Sequence, residues 1–474
     1  MSSPSSERLE SPEERLGKSI GLREKVLLLW GPGIVALGAS IGSGEFLLGP
    51  AAATRVGLGI AWITLIGAFL QSVYLYSWVR LVIAYGETPI AMMFRISALL
   101  GVLGALFVPL TFAWGSWAYL SASAFTSLIV GGVPTAPHAD LTTVVGMALL
   151  FFTFLALNVG HRVARTLEVL NWASLGIIFP AFIVLAILLV PLSTWGELIM
   201  GIVSFGYMPP KVDLATLGTF WGYTAYAAGV SYILANYFKD KGYGMGAKTG
   251  FIPGTFWAKE TPVSPSGRLF SLTPENLRAY EKWISLAREE VLIFFSGALI
   301  GMWIPMALAY AAANELGIKA PYGVPVWLGL VLQEAGWGYA GFVAGTLIAI
   351  LVLLKVQLGM VDAVGRALVD ALWRLEGVRR LAGGDVRVVY YGTLLVYILW
   401  SSLVFLVDAP ILLILVAINA ANAGALIGVP ALLYLNYRVV PKELRLHPAL
   451  VVLNVIFMVL CLVFLGAAIG RILD

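Results

Sequence analysis

Residues 41–47, Ile41-Gly42-Ser43-Gly44-Glu45-Phe46-Leu47, interrupt the first long apolar segment of the chain and decide how the rest is read. An unbroken apolar helix satisfies its own amides and carbonyls. Glycines inside one are tolerated where the freed backbone faces protein or a water-lined cavity rather than lipid. Glu45 sharpens the point, because a carboxylate facing lipid would cost roughly 2 to 3 kcal/mol on insertion scales. The segment is expected to be a helix broken near 42–45, with Gly42, Ser43, Gly44 and Glu45 as candidate binding residues.

Of the 474 residues, 60% are hydrophobic and only 12% are charged, and the mean hydropathy is +0.90. No soluble domain has this composition, so the expected fold class is an all-α integral membrane protein whose first partner is the lipid bilayer. The single cysteine, Cys461, lies in an apolar run, and His138, His161 and His447 lie in polar connections. Zinc fingers, disulfide frameworks and His–Cys metal clusters are thereby excluded. The net charge of +4 reflects where the loops sit relative to the membrane and does not imply nucleic acid. No Walker-type phosphate loop occurs, no cofactor is implied, and no enzyme is expected.

Apolar stretches of roughly 18 to 25 residues give about eleven spans, near 27–52, 59–83, 98–130, 141–159, 167–191, 214–237, 289–313, 337–360, 386–407, 410–435 and 449–471. Residues 1–25 are polar and lack the apolar core of a signal peptide, so they are expected to form a disordered cytoplasmic tail before a single transmembrane domain at 26–474. Alternate loops carry the basic residues, including Arg162 and Arg165, Lys239, Lys241 and Lys248, and Arg379 and Arg380. By the positive-inside rule the amino terminus is cytoplasmic and the carboxyl terminus outside, in an inner or plasma membrane. Residues 238–288 form the one long connection, intracellular and ending in ENLRAYEKWISLAREE, which has the pattern of a short amphipathic helix.

Span six repeats the oddity of span one. Gly218, Gly222, Thr224, Ala225, Ala227, Ala228, Gly229 and Ser231 crowd its centre, and Tyr223 and Tyr226 lie among them. Two interrupted helices five spans apart are what an inverted repeat of five helices produces, here about 27–191 and 214–435 with an extra helix at 449–471. In such an architecture a small molecule or ion is held between the breaks and carried across. Tyr223 and Tyr226 are candidate binding residues or core aromatics. Gly38, Gly42 and Gly49 could also serve close helix packing, which leaves Glu45 unexplained.

Span eight holds the second buried charge. Lys355 sits deep in GTLIAILVLLKVQLGMVDAVGRALVDALW, and Asp362 follows seven positions later on nearly the same face. Lys355 could pair with Glu45 or Asp362, carry a proton, or stand as a fixed positive charge in place of a bound cation. The bland alternative is a lysine whose amine snorkels to the inner water layer. Glu45, Lys355 and Asp362 are the candidate coupling residues, with protons the expected coupling ion. Gln71, Ser72, Arg80, Asn158, Asn419 and Asn422 are the remaining polar residues within spans, readable as interhelical hydrogen bonds.

The order of landmarks resembles the Nramp group of divalent-metal transporters, within the LeuT-fold, amino acid–polyamine–organocation superfamily. Gly31-Pro32 to Gly38 matches its opening phrase, Gly160-His161-Arg162 with Glu168 its turn between spans four and five, and Gly365 with Asp370 its trailing end of span eight. The resemblance implies a LeuT-type fold and proton-coupled symport of a divalent cation by alternating access. It departs at the metal site: Gly42 and Glu45 fall on the family's liganding Asp and Asn, and Tyr226-Ala227-Ala228 on its Met-Pro-His. The soft sulfur that biases a site toward manganese and iron is missing, so the metal ligand set is unknown, with Glu45 the one candidate. A second resemblance, of Ile41-Gly42-Ser43-Gly44 with Phe46-Leu47-Leu48 and Pro50, is to the Gly-Ser-Gly break of amino acid–polyamine–organocation transporters, where exposed amides hold a substrate carboxylate. Three readings follow: a carrier of a hydrated divalent cation, a proton-coupled carrier of a small amine or amino acid, and a non-transporting membrane sensor.

Overall fold

The computed structural model describes residues 8–210, 212–254, 263–406 and 410–473, which are helical with no β-strand among them. Eight helices among the described residues are long and apolar enough to cross a membrane, or nine when the bent pair Pro32–Ser40 and Gly44–Val56 counts as one span. The interrupted segment Leu214–Tyr223 to Ala235–Lys241 and the helix Pro410–Arg438 occupy the sixth and tenth positions of the sequence reading. The chain is a multi-pass membrane protein.

Burial separates inner from outer helices. The spans Leu58–Tyr85 and Trp327–Leu372 are each 78% buried over their apolar windows, whereas Pro448–Gly470 is 22% and Ala136–Asn158 28% buried. An apolar helix buried on all sides belongs to the core, and one exposed along most of its apolar length faces lipid. The half-helix Pro32–Ser40 is enclosed completely, packed by Val163–Leu189, Pro274–Tyr310 and Gly338–Leu372.

Small residues permit these approaches. A Cβ on Gly38 would lie 1.7 Å from Asn171 Oδ1, and one on Gly42 would lie 3.0 Å from Val356 Cγ2. The packing role considered for these glycines therefore holds at both positions, beside the break rather than instead of it. Neither lies in the left-handed region. Among the described non-glycine residues that conformation falls in the sixth segment, on Ala225 (φ +70°) and Ala228 (φ +27°). Non-glycine residues rarely adopt it, and it costs of order 1–3 kcal/mol each unless the surroundings impose it.

Two expectations are corrected. The tail is folded over residues 8–24: a capped helix, Pro12–Leu16, lies there, Leu9 is buried with its N–H donating to Asn276 Oδ1 at 2.9 Å, and Trp283 Nε1 donates to the Glu10 carbonyl at 2.8 Å. Leu9 and the capping box at Ser11 outweigh the polar average of the segment. ENLRAYEKWISLAREE is no separate helix, because nothing between Glu290 and Val291 breaks the chain; it forms the first turns of the 37-residue helix Pro274–Tyr310. Span three has the expected bounds, Ala98–Val130, with its helix interrupted at residues 113–115, where Gly115 takes φ +64°.

Gly229 allows the sixth segment to meet Pro410–Arg438, since a Cβ there would lie 1.9 Å from the Ala425 backbone nitrogen. Gly229→Ala is expected to destabilise the protein by about 1–3 kcal/mol through overpacking. Gly176→Ala, which meets nothing within 4 Å, should leave it unchanged or slightly more stable. The apparent melting temperatures of the two purified variants check this.

Candidate functional site

The break in the first span leaves two helix ends inside the protein, and each finds a charged partner. Pro32–Ser40 stops at Ile41, and a π-helical turn, Gly44–Leu48, opens the second half at an angle of 43°. Lys355 reaches across from Gly338–Leu372 and its Nζ donates to the carbonyls of Gly38 (2.6 Å) and Ile41 (2.7 Å). A cation on the last carbonyls of a helix is favourable both as hydrogen bonding and against the helix dipole. On the other side Glu45 Oε2 accepts from the Gly42 N–H at 3.0 Å, the return half of a capping box. The capping bond explains one carboxylate oxygen. Glu45 Oε1 is buried without a hydrogen-bond partner.

Glu45 and Lys355 are both buried, 1% and 2% exposed, and they form no ion pair within 4.0 Å. Each neutralises a helix end of the same break. The snorkelling alternative for Lys355 is overturned by its carbonyl partners.

The opposite end of the first half-helix is held in the same manner. Glu290, on Pro274–Tyr310, accepts from the N–H groups of Gly31 (2.9 Å) and Gly33 (2.6 Å) and from the Tyr243 hydroxyl (2.9 Å). A nine-residue half-helix is thus clamped by a carboxylate at its start and an ammonium at its end.

The sixth-segment break is held by Gln71, buried in Ala61–Tyr85. Its amide donates to the carbonyls of Thr224 and, at 3.4 Å, Trp221, and its oxygen accepts from the Tyr226 N–H at 3.2 Å. The Ala225 main chain lies beside the Glu45 carboxylate, which brings the two breaks together. Tyr226 packs its ring against Phe112 at 5.4 Å, and its buried hydroxyl has no partner. Tyr223 ends the helix Leu214–Tyr223, and its side chain lies outside the described residues.

Asp362 is elsewhere. It accepts from the hydroxyls of Tyr237 (2.7 Å) and Tyr390 (2.5 Å) and pairs with Arg366 at 2.6 Å, and Arg366 pairs in turn with Asp240 at 2.6 Å. The expected partnership of Lys355 with Asp362 is not formed, because two helical turns carry Asp362 past the break to the second half of segment six. Gln71 and Glu290 went unrecognised in the sequence as site residues. For Gln71 the available signal was an amide in the middle of an otherwise apolar helix; for Glu290 there was none, since it ends a charged run.

Among the described residues no group of three or more His, Cys, Asp or Glu side chains could hold a metal ion. A cation at this break would meet one carboxylate, backbone carbonyls and water.

Lys355→Met should leave the Gly38 and Ile41 carbonyls buried without donors, at about 1–3 kcal/mol each. A lower melting temperature and faster hydrogen exchange over residues 32–40 are the expected signs; unchanged exchange there would remove Lys355 from its capping role.

No family model matches the chain, and no curated protein matches it. Solved structures do. A manganese transporter from Eremococcus coleocola, in complex with an aromatic bis-isothiourea substituted compound, superposes with a TM-score of 0.62 at 13% identity, covering 100% of this chain and 92% of that one. A histidine-to-alanine variant of the same transporter gives 0.61 at 14% identity over 98% and 90% of the two chains. A glutamate-to-glutamine variant gives 0.62 at 13% over the same shares. The all-helical membrane fold expected from the sequence is thus shared, along the whole length of the chain, with this bacterial manganese transporter.

Proposed function

We infer that this chain is a secondary active transporter of a small cationic solute, bound where the breaks of the first and sixth segments meet. Glu45 carries the reading: a buried carboxylate at that meeting point, with one oxygen on the Gly42 N–H and the other unpartnered. The free oxygen can take the cargo cation, and the co-transported proton travels on a second buried group, with Lys355 the candidate. Lys355 keeps the break intact and gives the coupling its second charge. Gly42, Ser43, Gly44 and Tyr226 line the site, Tyr223 adjoins it, and Asp362 acts at a distance by positioning Arg366 and Tyr237.

By likeness to the solved manganese transporter the cargo is a divalent cation. With one carboxylate and no soft ligand, that cation keeps most of its water, as hard cations do. The spans form two inverted repeats of five, and alternating access moves one against the other around the breaks. The amino terminus is cytoplasmic and the carboxyl terminus outside, as the loop charges require.

A second reading has its own support. Lys355 Nζ occupies the carbonyls of Gly38 and Ile41, the oxygens a bare cation would seek, and this favours a small amine or amino acid as cargo. Its amine would meet Glu45, and its carboxylate the Ser43 and Gly44 amides beyond the Gly42 N–H that Glu45 holds.

Proteoliposomes decide among these. Uptake of manganese or magnesium driven by an inward proton gradient is expected, and Glu45→Gln should abolish it while leaving the protein folded and inserted. Uptake of organic amines alone would select the second reading, and no uptake of either would point to a sensor. Any ligand preferring the folded state should also raise the melting temperature, by roughly 2.7 kcal/mol of stabilisation at a hundred times its dissociation constant, and lose that effect in Glu45→Gln.

A further inference from the structure

A cavity of about 310 Å³ opens where the folded tail meets the start of the first half-helix, and its lining is unbalanced in charge. Four cationic side chains, Arg15, Arg162, Arg165 and Lys241, face two carboxylates, Glu168 and Asp240, an excess of two positive charges. The carboxylates are already committed. Glu168 accepts from Lys241 at 2.8 and 2.9 Å and from Arg165, while Asp240 is held from behind by Arg366 at 2.6 Å and Lys239 at 3.4 Å.

Arg15 and Arg162 are left over, with no ion pair to any described carboxylate. Both are held beside aromatic rings rather than by ion pairs. Arg15 lies over the Trp283 ring at 5.8 Å and donates weakly to the Lys241 carbonyl at 3.4 Å; Arg162 stacks on Phe251 at 3.9 Å. Arg15 Nη1 and Nη2 lie over Gly242 at the cavity wall, and neither guanidinium is spent on a described carboxylate; an unspent guanidinium binds phosphate or carboxylate in a two-point fork. Burial, and then the charge of Arg162, hold the Arg15 guanidinium below its ordinary value despite the nearby Glu10. Two like charges brought together and partly desolvated without a counter-ion are costly, and a bound anion removes the cost.

The adjoining helix start adds nothing, since Glu290 already occupies the Gly31 and Gly33 N–H groups. The case rests on the arginines and the cavity.

We propose that this cavity is a binding site for a phosphate-bearing anion, held between Arg15 of the tail and Arg162 of the turn before Val163–Leu189. The phosphate belongs either to a soluble molecule or to a lipid headgroup. Leu27 and Leu28, 55% and 43% exposed, line the rim and would accompany an acyl chain. Bound there, the anion ties the tail, the turn at 160–165 and the helix Ala235–Lys241 to the foot of the first half-helix. The site would resist any separation of those elements, whatever the cargo is.

The test uses the full chain. Protein in a non-ionic detergent is melted across a titration of inorganic phosphate against chloride at matched ionic strength, and again in nanodiscs of phosphatidylcholine with or without phosphatidylglycerol. The expected result is a saturable rise in melting temperature whose midpoint shifts to at least tenfold higher phosphate in Arg15→Gln and in Arg162→Gln, but not in Arg23→Gln on the exposed surface. Each rise is read against the variant's own baseline, so a loss of intrinsic stability does not mimic a loss of binding. Arg162→Lys, which keeps the charge and loses the fork, should fall between. Stabilisation by phosphate alone assigns the soluble source; stabilisation by phosphatidylglycerol that phosphate competes away assigns the lipid. Neither probe raising the melting temperature, or the Arg15 and Arg162 variants responding as Arg23→Gln does, overturns the proposal.

Discussion

Backbone groups freed inside a membrane protein need partners, and that constraint organises this molecule. A helix broken at mid-depth exposes carbonyls on one side and amides on the other, each costing kilocalories if left bare. Lys355, Glu45, Glu290 and Gln71 answer that demand with their side chains. Three of the four come from the buried helices Ala61–Tyr85, Pro274–Tyr310 and Gly338–Leu372, which explains why these long helices carry polar atoms at all. The core is built around the breaks.

This arrangement also accounts for what is left unsatisfied. Glu45 Oε1, at the first break, and the hydroxyl of Tyr226, on the sixth segment, are buried and unpartnered, while the polar atoms of Asp362 are saturated by Arg366 and two tyrosines. A saturated network holds elements together; a carboxylate oxygen and a hydroxyl left without partners can admit something else.

The break at 42–45, the apolar spans and the depth of Glu45 and Lys355 were legible in the sequence because each rests on local pattern: hydropathy, glycine, and charge where none is expected. The partners were not. Lys355 lies 317 positions from Gly38, Glu290 lies 257 from Gly33, and Gln71 lies 153 from Thr224, and no periodicity spans such distances. The tail was misread for a related reason. Its composition is polar, but its order depends on Asn276 and Trp283, residues that a reading of the tail alone never meets. The left-handed alanines at 225 and 228 could not have been foreseen either, since that conformation is imposed by the packing around them.

The 37-residue helix Pro274–Tyr310 extends about 55 Å at 1.5 Å per residue, well beyond the hydrocarbon thickness, without a break. Its outer turns hold the tail through Trp283, and Glu290, two turns further on, holds the foot of the first half-helix. A rod of this kind is a lever arm: a force applied at its protruding end reaches the capped half-helix with no soft joint to absorb it. Events at the membrane surface can therefore set the pace of events at mid-depth without any contact between the two.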